Sequence, residues 1–135
     1  MPDKYGFETE DDRREQEEQR KRDAEALREA HVELQGRLNE SVRDVLQHFV
    51  NAMGWQHQLD VMGSGAPPGW AVGAPNQSQA GASMRVVITG DASAPQLALW
   101  VHDPGGGAAS HLQTLVQVLE RETGISTRRV DRLPA

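Results

Sequence analysis

Cysteine is absent from all 135 residues of the chain. Its absence excludes disulfides, thiolate metal sites and cysteine nucleophiles, and it fits the reducing environment of a cytoplasm. Lysine occurs only as Lys4 and Lys21, so nearly all basic residues are arginine, a bias typical of GC-rich bacterial genomes. The composition therefore predicts a bacterial, cytoplasmic protein whose chemistry does not depend on thiols.

Long hydrophobic runs are also absent, and no stretch approaches the length of a membrane span. The N-terminal sequence MPDKYGFETEDD is acidic and has no apolar core, unlike a secretory signal. Apolar residues make up 37% of the chain, below the usual share of a globular protein. We expect one soluble domain with a modest core, polar appendages and no membrane contact.

An excess of positive charge is lacking as well. The formal net charge of -6 disfavours a protein that binds nucleic acid over a broad surface. A local basic patch is still compatible with this charge, and the C-terminal tail offers one. The candidate nucleic-acid contacts are Arg128, Arg129 and Arg132.

Residues 8–23 hold no large apolar side chain, although their pattern is helical. Thr9 is a candidate N-cap with Asp12 three residues on, and opposite charges recur at i, i+4 spacing. We expect residues 1–24 to form a charged, partly disordered or solvated helical arm. Residues 25–135 are expected to form a single α+β domain with a loop rich in Gly, Pro and Ser at 63–82.

From Leu27 onward the same helix becomes amphipathic. Its apolar positions recur at steps of three and four residues, with one histidine filling a gap. These positions are Leu27, His31, Leu34, Leu38, Val42, Val45, Phe49 and Met53. Gly54 suits the left-handed residue that ends a helix, and Trp55 can fold back on Val50.

The length of this helix predicts a second role for part of its stripe. Residues 8–53 would span roughly 65–70 Å at 1.5 Å per residue, which is longer than the rest of the domain. We expect the C-terminal half of the stripe to pack on a sheet and residues 27–38 to overshoot it. The predicted seam of a homodimer consists of Leu27, His31, Leu34 and Leu38.

Strand signals follow the helix. A short strand is expected within residues 56–62, and a second one around Trp70 and Val72 interrupts the loop. A buried Trp70 would fix the loop, whereas an exposed one would be a contact residue, and we count Trp70 among the interface candidates. The clearest hairpin has alternating apolar residues on both strands and a turn at residues 90–95. Its apolar face consists of Met84, Val86, Ile88, Leu97, Leu99 and Val101.

A second helix is expected at about residues 110–123, with Gly124 after it, and the arginine tail is a candidate edge strand. The predicted fold class is α+β. It combines a long N-terminal helix, a three- to four-stranded mostly antiparallel meander, and a second helix packed on the same sheet face.

The most site-like local motif is a glycine run between a strand and a helix, Gly105, Gly106 and Gly107. Backbone N–H groups at a helix start attract phosphate or carboxylate. A phosphate loop would need Lys-Ser/Thr after the run, where two alanines stand, and a dinucleotide motif would need a glycine where a serine stands. The sequence leaves two roles open for the run, an anion-binding site and a plain flexible connector, and favours the connector.

Other chemistry-bearing residues form no recognisable motif. The five histidines lack the spacing of a metal site, and no nucleophile elbow accompanies the serines. We therefore expect no catalytic residue, no metal and no cofactor.

Over residues 20–123, the order of long charged helix, glycine-rich stretch, hairpin and second helix is similar in layout to the YbaB-type nucleoid-associated proteins. Those are small acidic dimers that bind DNA without base motifs. The resemblance implies DNA binding as an alternative function. The long insert before Met84 and the arginine tail depart from that layout.

The leading hypothesis is a non-enzymatic interaction module, namely a homodimeric adaptor, chaperone or assembly component. In it, the apolar helix stripe would lie against its twin or in the groove of an unidentified protein partner. One alternative is a nucleic-acid-associated dimer that uses the arginine tail. The other is a small ligand- or anion-binding protein centred on the glycine run.

Overall fold

The computed structural model of the chain describes residues 5–55, 59–63, 67–73 and 81–133. Helix α1 (Glu10–Met53) precedes the sheet, and helix α2 (Leu112–Thr123) follows a single 3-10 turn. The strands are β1 (Leu59–Val61), β2 (Gly69–Val72), β3 (Ser83–Asp91), β4 (Ala94–His102) and β5 (Thr127–Arg129). The first part of the strand predicted at 56–62, two parts of the loop predicted at 63–82 and the first four residues of the arm lie outside the described residues.

Helix α1 begins and ends where its sequence predicts. The Thr9 hydroxyl accepts the Asp12 N–H and the Asp12 carboxylate accepts the Thr9 N–H, both at 3.1 Å. This reciprocal capping box satisfies two amides that the first turn of a helix leaves without partners. At the other end Gly54 adopts a φ of 69°, and the Trp55 N–H donates to the Val50 carbonyl at 3.0 Å. Both predicted ends are confirmed.

The strands form one sheet in the order β1-β2-β3-β4-β5. Neighbours up to β4 are antiparallel, and β5 pairs with β4 in parallel. The α+β class is confirmed, whereas the sheet is mixed and has five strands, more than the three or four predicted. The parallel pair forms because α2 carries the chain back along the sheet between β4 and β5. The arginine tail thus supplies an edge strand, as predicted.

The β3–β4 hairpin has a tighter turn than the predicted 90–95. Pairing continues through Gly90 with Pro95 and Asp91 with Ala94, so only Ala92 and Ser93 connect the strands. Gly90 has a φ of 85°, and a Cβ added there would lie 2.7 Å from the Ala94 carbonyl oxygen. A glycine at this position is therefore a condition for the tight connection.

The core lies on one face of the sheet, beneath both helices, as predicted. The alternating apolar residues of β3 and β4 form one cluster with apolar residues of α1 and α2. The helix residues of this cluster are Leu34, Val42, Val45, Leu46, Phe49, Val50, Leu112, Leu115 and Leu119. Burial of apolar surface stabilises by about 25 cal/mol per Å², so this layer is the main source of stability.

Helix α1 meets the sheet earlier along its length than predicted. His31 Nε2 hydrogen-bonds to the Gly90 carbonyl at 2.8 Å, and Gln35 donates to the Met62 and Gly69 carbonyls at 3.1 and 2.8 Å. The expectation that residues 27–38 overshoot the sheet is therefore wrong from His31 onward. The nine-residue strands of the hairpin span about 30 Å and carry its turn as far as His31.

Candidate interaction surfaces

The projecting part of α1, residues 10–30, is called the arm below. It is about 31 Å long at 1.5 Å per residue. Its side chains are exposed with three half-buried exceptions, one of which is Leu27. Arg14 pairs with Asp11 at 2.8 Å, with both side chains more than two-thirds exposed. Such pairs add only about 0.2–0.5 kcal/mol each, so the arm is held helical mainly by its continuity with the packed half of α1.

The residues predicted as a dimer seam divide between the arm and the core. Leu27 and Leu38 are half-buried, whereas His31 and Leu34 are buried within the chain. Trp70 is fully buried, and its indole N–H donates to Asn39 Oδ1 at 3.0 Å. These three buried side chains have little surface left for a second chain, and Trp70 instead fixes β2 against α1.

An apolar groove of about 340 Å³ runs between α1 and α2 on the side away from the sheet. Its floor is Phe49 and Leu115, and its rims carry His48 and His111. The remaining lining residues are Val45, Ala52, Met53, Thr114 and Val118. The apolar stripe of α1 does not reveal this groove, because a helical period identifies a buried face and not the space between two helices. Val118 lies one turn after Thr114 and outside the predicted core, and it was the only sequence signal for the groove.

The sheet face away from the helices carries Arg85, Trp100 and His102 beside the buried apolar side chains of Val87 and Ala98. Arg85 lies opposite Trp100 on the neighbouring strand, and the Trp100 and His102 rings stack with centroids 6.2 Å apart. Among the residues that the structure describes, Arg85 Nε is buried and has no hydrogen-bond partner. A buried guanidinium N–H without an acceptor costs free energy, so a ligand that brings a hydrogen-bond acceptor to this face would be stabilised there.

The three arginines predicted to contact nucleic acid are all exposed. Arg128 and Arg129 are consecutive on β5, so their side chains leave opposite faces of the sheet. Arg128 aligns with Ala98 on the face of Trp100, and Arg132 lies beyond the strand. The structure therefore brings Arg128, but not Arg129, to the face that holds Arg85.

The glycine run is exposed and already has an anionic neighbour. Asp103 Oδ2 accepts the Ala108 N–H at 2.8 Å, and the Gly106 N–H donates to the Asp103 carbonyl at 3.0 Å. A carboxylate thus occupies the amide that a phosphate would need, and its charge repels a second anion. The geometry makes the run a connector and disfavours the predicted anion site at Gly105, Gly106 and Gly107.

Across residues 5–55, 59–63, 67–73 and 81–133, no three histidine, aspartate or glutamate side chains are grouped in a way that would hold a metal ion. In the same part of the chain, no helix has the length and apolarity needed to cross a bilayer.

The sequence matches no family model, no curated protein and no solved structure.

Proposed function

We propose that the chain is a non-enzymatic protein–protein interaction module that works as a homodimer, in the role of an adaptor, chaperone or assembly component. The observation that carries this proposal is the arm. It is a capped, charged helix of about 31 Å that contributes almost nothing to the core of its own chain.

The energetics of the arm support a role outside the fold. An isolated helix of this length is marginal in water, because nucleating the first turn is unfavourable. Here the packed half of α1 supplies the nucleus, and the capping box at Thr9 and Asp12 stabilises the free end. The packed half of α1 and the capping box together keep the arm helical, although the core of the chain does not use the surface of the arm. We expect this of a recognition element.

The chemistry of the open spaces supports binding over catalysis. The groove between the helices is lined mainly by apolar side chains, with His48 and His111 at its rims. Apolar grooves between helices are common docking places for a partner helix. The stripe from Leu34 to Met53 packs in or against the core of its own chain, so the arm and the groove are the surfaces that we propose for partner contact.

The first experiment is the molar mass of the purified protein by light scattering at tens of micromolar. A dimer mass is expected, and a strictly monomeric mass would contradict the homodimer. The arm is tested by a photo-crosslinking amino acid at Gln19, with Gln113 on the exposed side of α2 as the matched control position. Adducts to another protein in host cells that form from position 19 and not from 113 are expected.

A second candidate function is nucleic-acid binding through the helix-free sheet face. The observation that favours it is the unsatisfied Arg85 Nε beside the Trp100–His102 stack, with Arg128 on the same face. Stacking rings with nearby guanidinium groups suit single-stranded nucleic acid. Binding that falls steeply with salt, and that is lost in Arg85→Gln and Arg128→Gln but retained in Arg121→Gln on α2, would support it.

A further inference from the structure

The two edges of the sheet differ in how their backbone groups are protected. At the β5 edge, the Thr127 N–H faces outward and donates to Glu120 Oε1 at 3.0 Å. The alternate amides of β5 face β4, since the Val130 N–H donates to the Leu99 carbonyl at 2.9 Å. A carboxylate from α2 thus covers an outward donor of this edge, a device that discourages strand addition.

The β1 edge has no such cover within the described part of the chain. The Met62 N–H donates to the Gly69 carbonyl at 2.9 Å, which makes these two residues a hydrogen-bonded pair in the antiparallel register of β1 and β2. Hydrogen-bonded and non-hydrogen-bonded pairs alternate along such a ladder. The N–H and C=O groups of Leu59 and Val61 therefore point away from β2, and none of the residues that the structure describes hydrogen-bonds to them.

Exposed apolar side chains accompany these open backbone groups. Val61 is 42% exposed, and Val32 on the nearby face of α1 is 46% exposed. They are the two most exposed large apolar residues of the described chain outside its N-terminal segment. Val32 also lines an open cavity of about 280 Å³, together with Met62 and Pro68. An uncovered edge flanked by exposed valines is the usual surface of a strand-pairing interface.

We propose that the β1 edge is the dimer interface, where β1 of a second copy of this chain pairs antiparallel across a two-fold axis to give one continuous ten-stranded sheet. This inference rests on the homodimer proposed above and specifies its contact. The two-fold axis would place Val61 opposite Val61 of the second copy. Each Val61 would then give its outward N–H and receive at its outward C=O.

The choice of a second copy as occupant follows from the self-complementarity of the edge. A two-fold axis always pairs a patch with itself, and Val61 offers one donor and one acceptor to its own image. Asp60 excludes the neighbouring register, because centring on Asp60 would oppose two carboxylates directly. When the two-fold axis passes between the two Val61 residues, Asp60 lies opposite Met62 of the second copy. This register buries both valines and keeps the two Asp60 carboxylates apart.

The absence of cysteine makes a direct test possible, since a single introduced cysteine can form a disulfide only between copies. Facing residues in a hydrogen-bonded antiparallel pair have Cα atoms about 5.5 Å apart, which suits a disulfide. Val61→Cys should cross-link to a dimer rapidly under mild oxidation. Gln113→Cys, on the exposed side of α2, is the matched control and should cross-link only slowly.

A second variant tests the contact through the equilibrium. Val61→Lys should weaken self-association by about tenfold or more, because edge lysines block strand pairing. Phe7→Lys, at an exposed apolar residue of the N-terminal segment, should leave the dimer mass unchanged, and circular dichroism checks that both variants fold. The proposed interface is wrong if the dimer mass is unchanged in Val61→Lys and if Val61→Cys cross-links no faster than Gln113→Cys. That result would leave the homodimer itself intact. A monomeric wild-type protein overturns both.

Discussion

Trp70 and Asn39 join β2 to α1 through a single hydrogen bond, in which the indole N–H donates to the amide oxygen at 3.0 Å. The tryptophan is fully buried, so Asn39 supplies the acceptor that its N–H requires inside the protein. Asn39→Ala should lower the free energy of unfolding by about 1–3 kcal/mol, the usual cost of an unsatisfied buried donor.

Urea denaturation of Asn39→Ala measures that loss. The control is Gln113→Ala, on the exposed side of α2, which should change stability by less than about 0.5 kcal/mol. Equal midpoints for the two variants would mean that the Trp70–Asn39 bond contributes nothing net. Trp70→Ala should cost more, about 3–5 kcal/mol, because it also leaves a cavity in the core.

The Thr9 cap should stabilise the arm without stabilising the body. Thr9→Ala removes the hydroxyl that accepts the Asp12 N–H, and losing a cap typically costs about 0.5–2 kcal/mol of local helix stability. Hydrogen exchange should accelerate in the first turns of α1 while the amides of α2 keep their protection. Thr114→Ala, on the exposed side of α2, should leave the exchange of the arm unchanged; a global loss of protection in Thr9→Ala would mean that arm and body unfold as one unit.

Two glycines should respond in opposite directions to the same added methyl group. At Gly90, alanine would meet both a positive φ and the Ala94 carbonyl oxygen at 2.7 Å, so Gly90→Ala should destabilise by more than about 1 kcal/mol. At Gly36, an exposed position inside α1, nothing lies within 4 Å of an added Cβ. Gly36→Ala should stabilise by about 0.5–1 kcal/mol through helix propensity. Thermal melts of both variants check the two signs together.

The Glu120 carboxylate should prevent strand addition at the β5 edge. Glu120→Ala leaves the Thr127 N–H without its acceptor, so the edge becomes available for strand addition. The expected result is a molar mass that rises with concentration beyond that of the wild-type protein. Glu120→Gln keeps an acceptor oxygen and should behave like the wild type. Glu122→Ala should do so too, because the Glu122 carboxylate pairs with the exposed Arg121 side chain. Unchanged mass in Glu120→Ala would show that Glu120 does not prevent strand addition at this edge.

The features predictable from the sequence were those set by neighbouring residues. Thr9 and Asp12 mark a helix start, Gly54 marks its end, and the alternation around Val86 and Leu99 marks a hairpin, because these signals act over a few residues. Whether the stripe residue His31 touches the sheet depends on the length of a hairpin some 60 residues away. No periodicity within α1 carries that information.

The remaining misses have the same origin. The sequence around Trp70 is compatible with a residue that fixes the loop and with a contact residue, and only its distant partner Asn39 distinguishes the two roles. The hydrogen bond from the β5 edge to Glu120, and the position of Val61 on the opposite edge strand, follow from the strand order. Strand order follows from packing of the whole chain, so these surfaces became visible only in three dimensions.

Helix α1 passes from arm to body without a proline, and its one glycine, Gly36, lies where the sheet already supports the helix through Gln35. The arm therefore contains no hinge of its own. A force applied at the N-terminal end of the arm would be transmitted along the helix to His31 and to the tip of the β3–β4 hairpin, where the sheet supports α1. A partner bound to the end of the arm would therefore keep a fixed distance and a fixed direction from the sheet, so that α1 would set the spacing between partner and sheet as well as bind the partner.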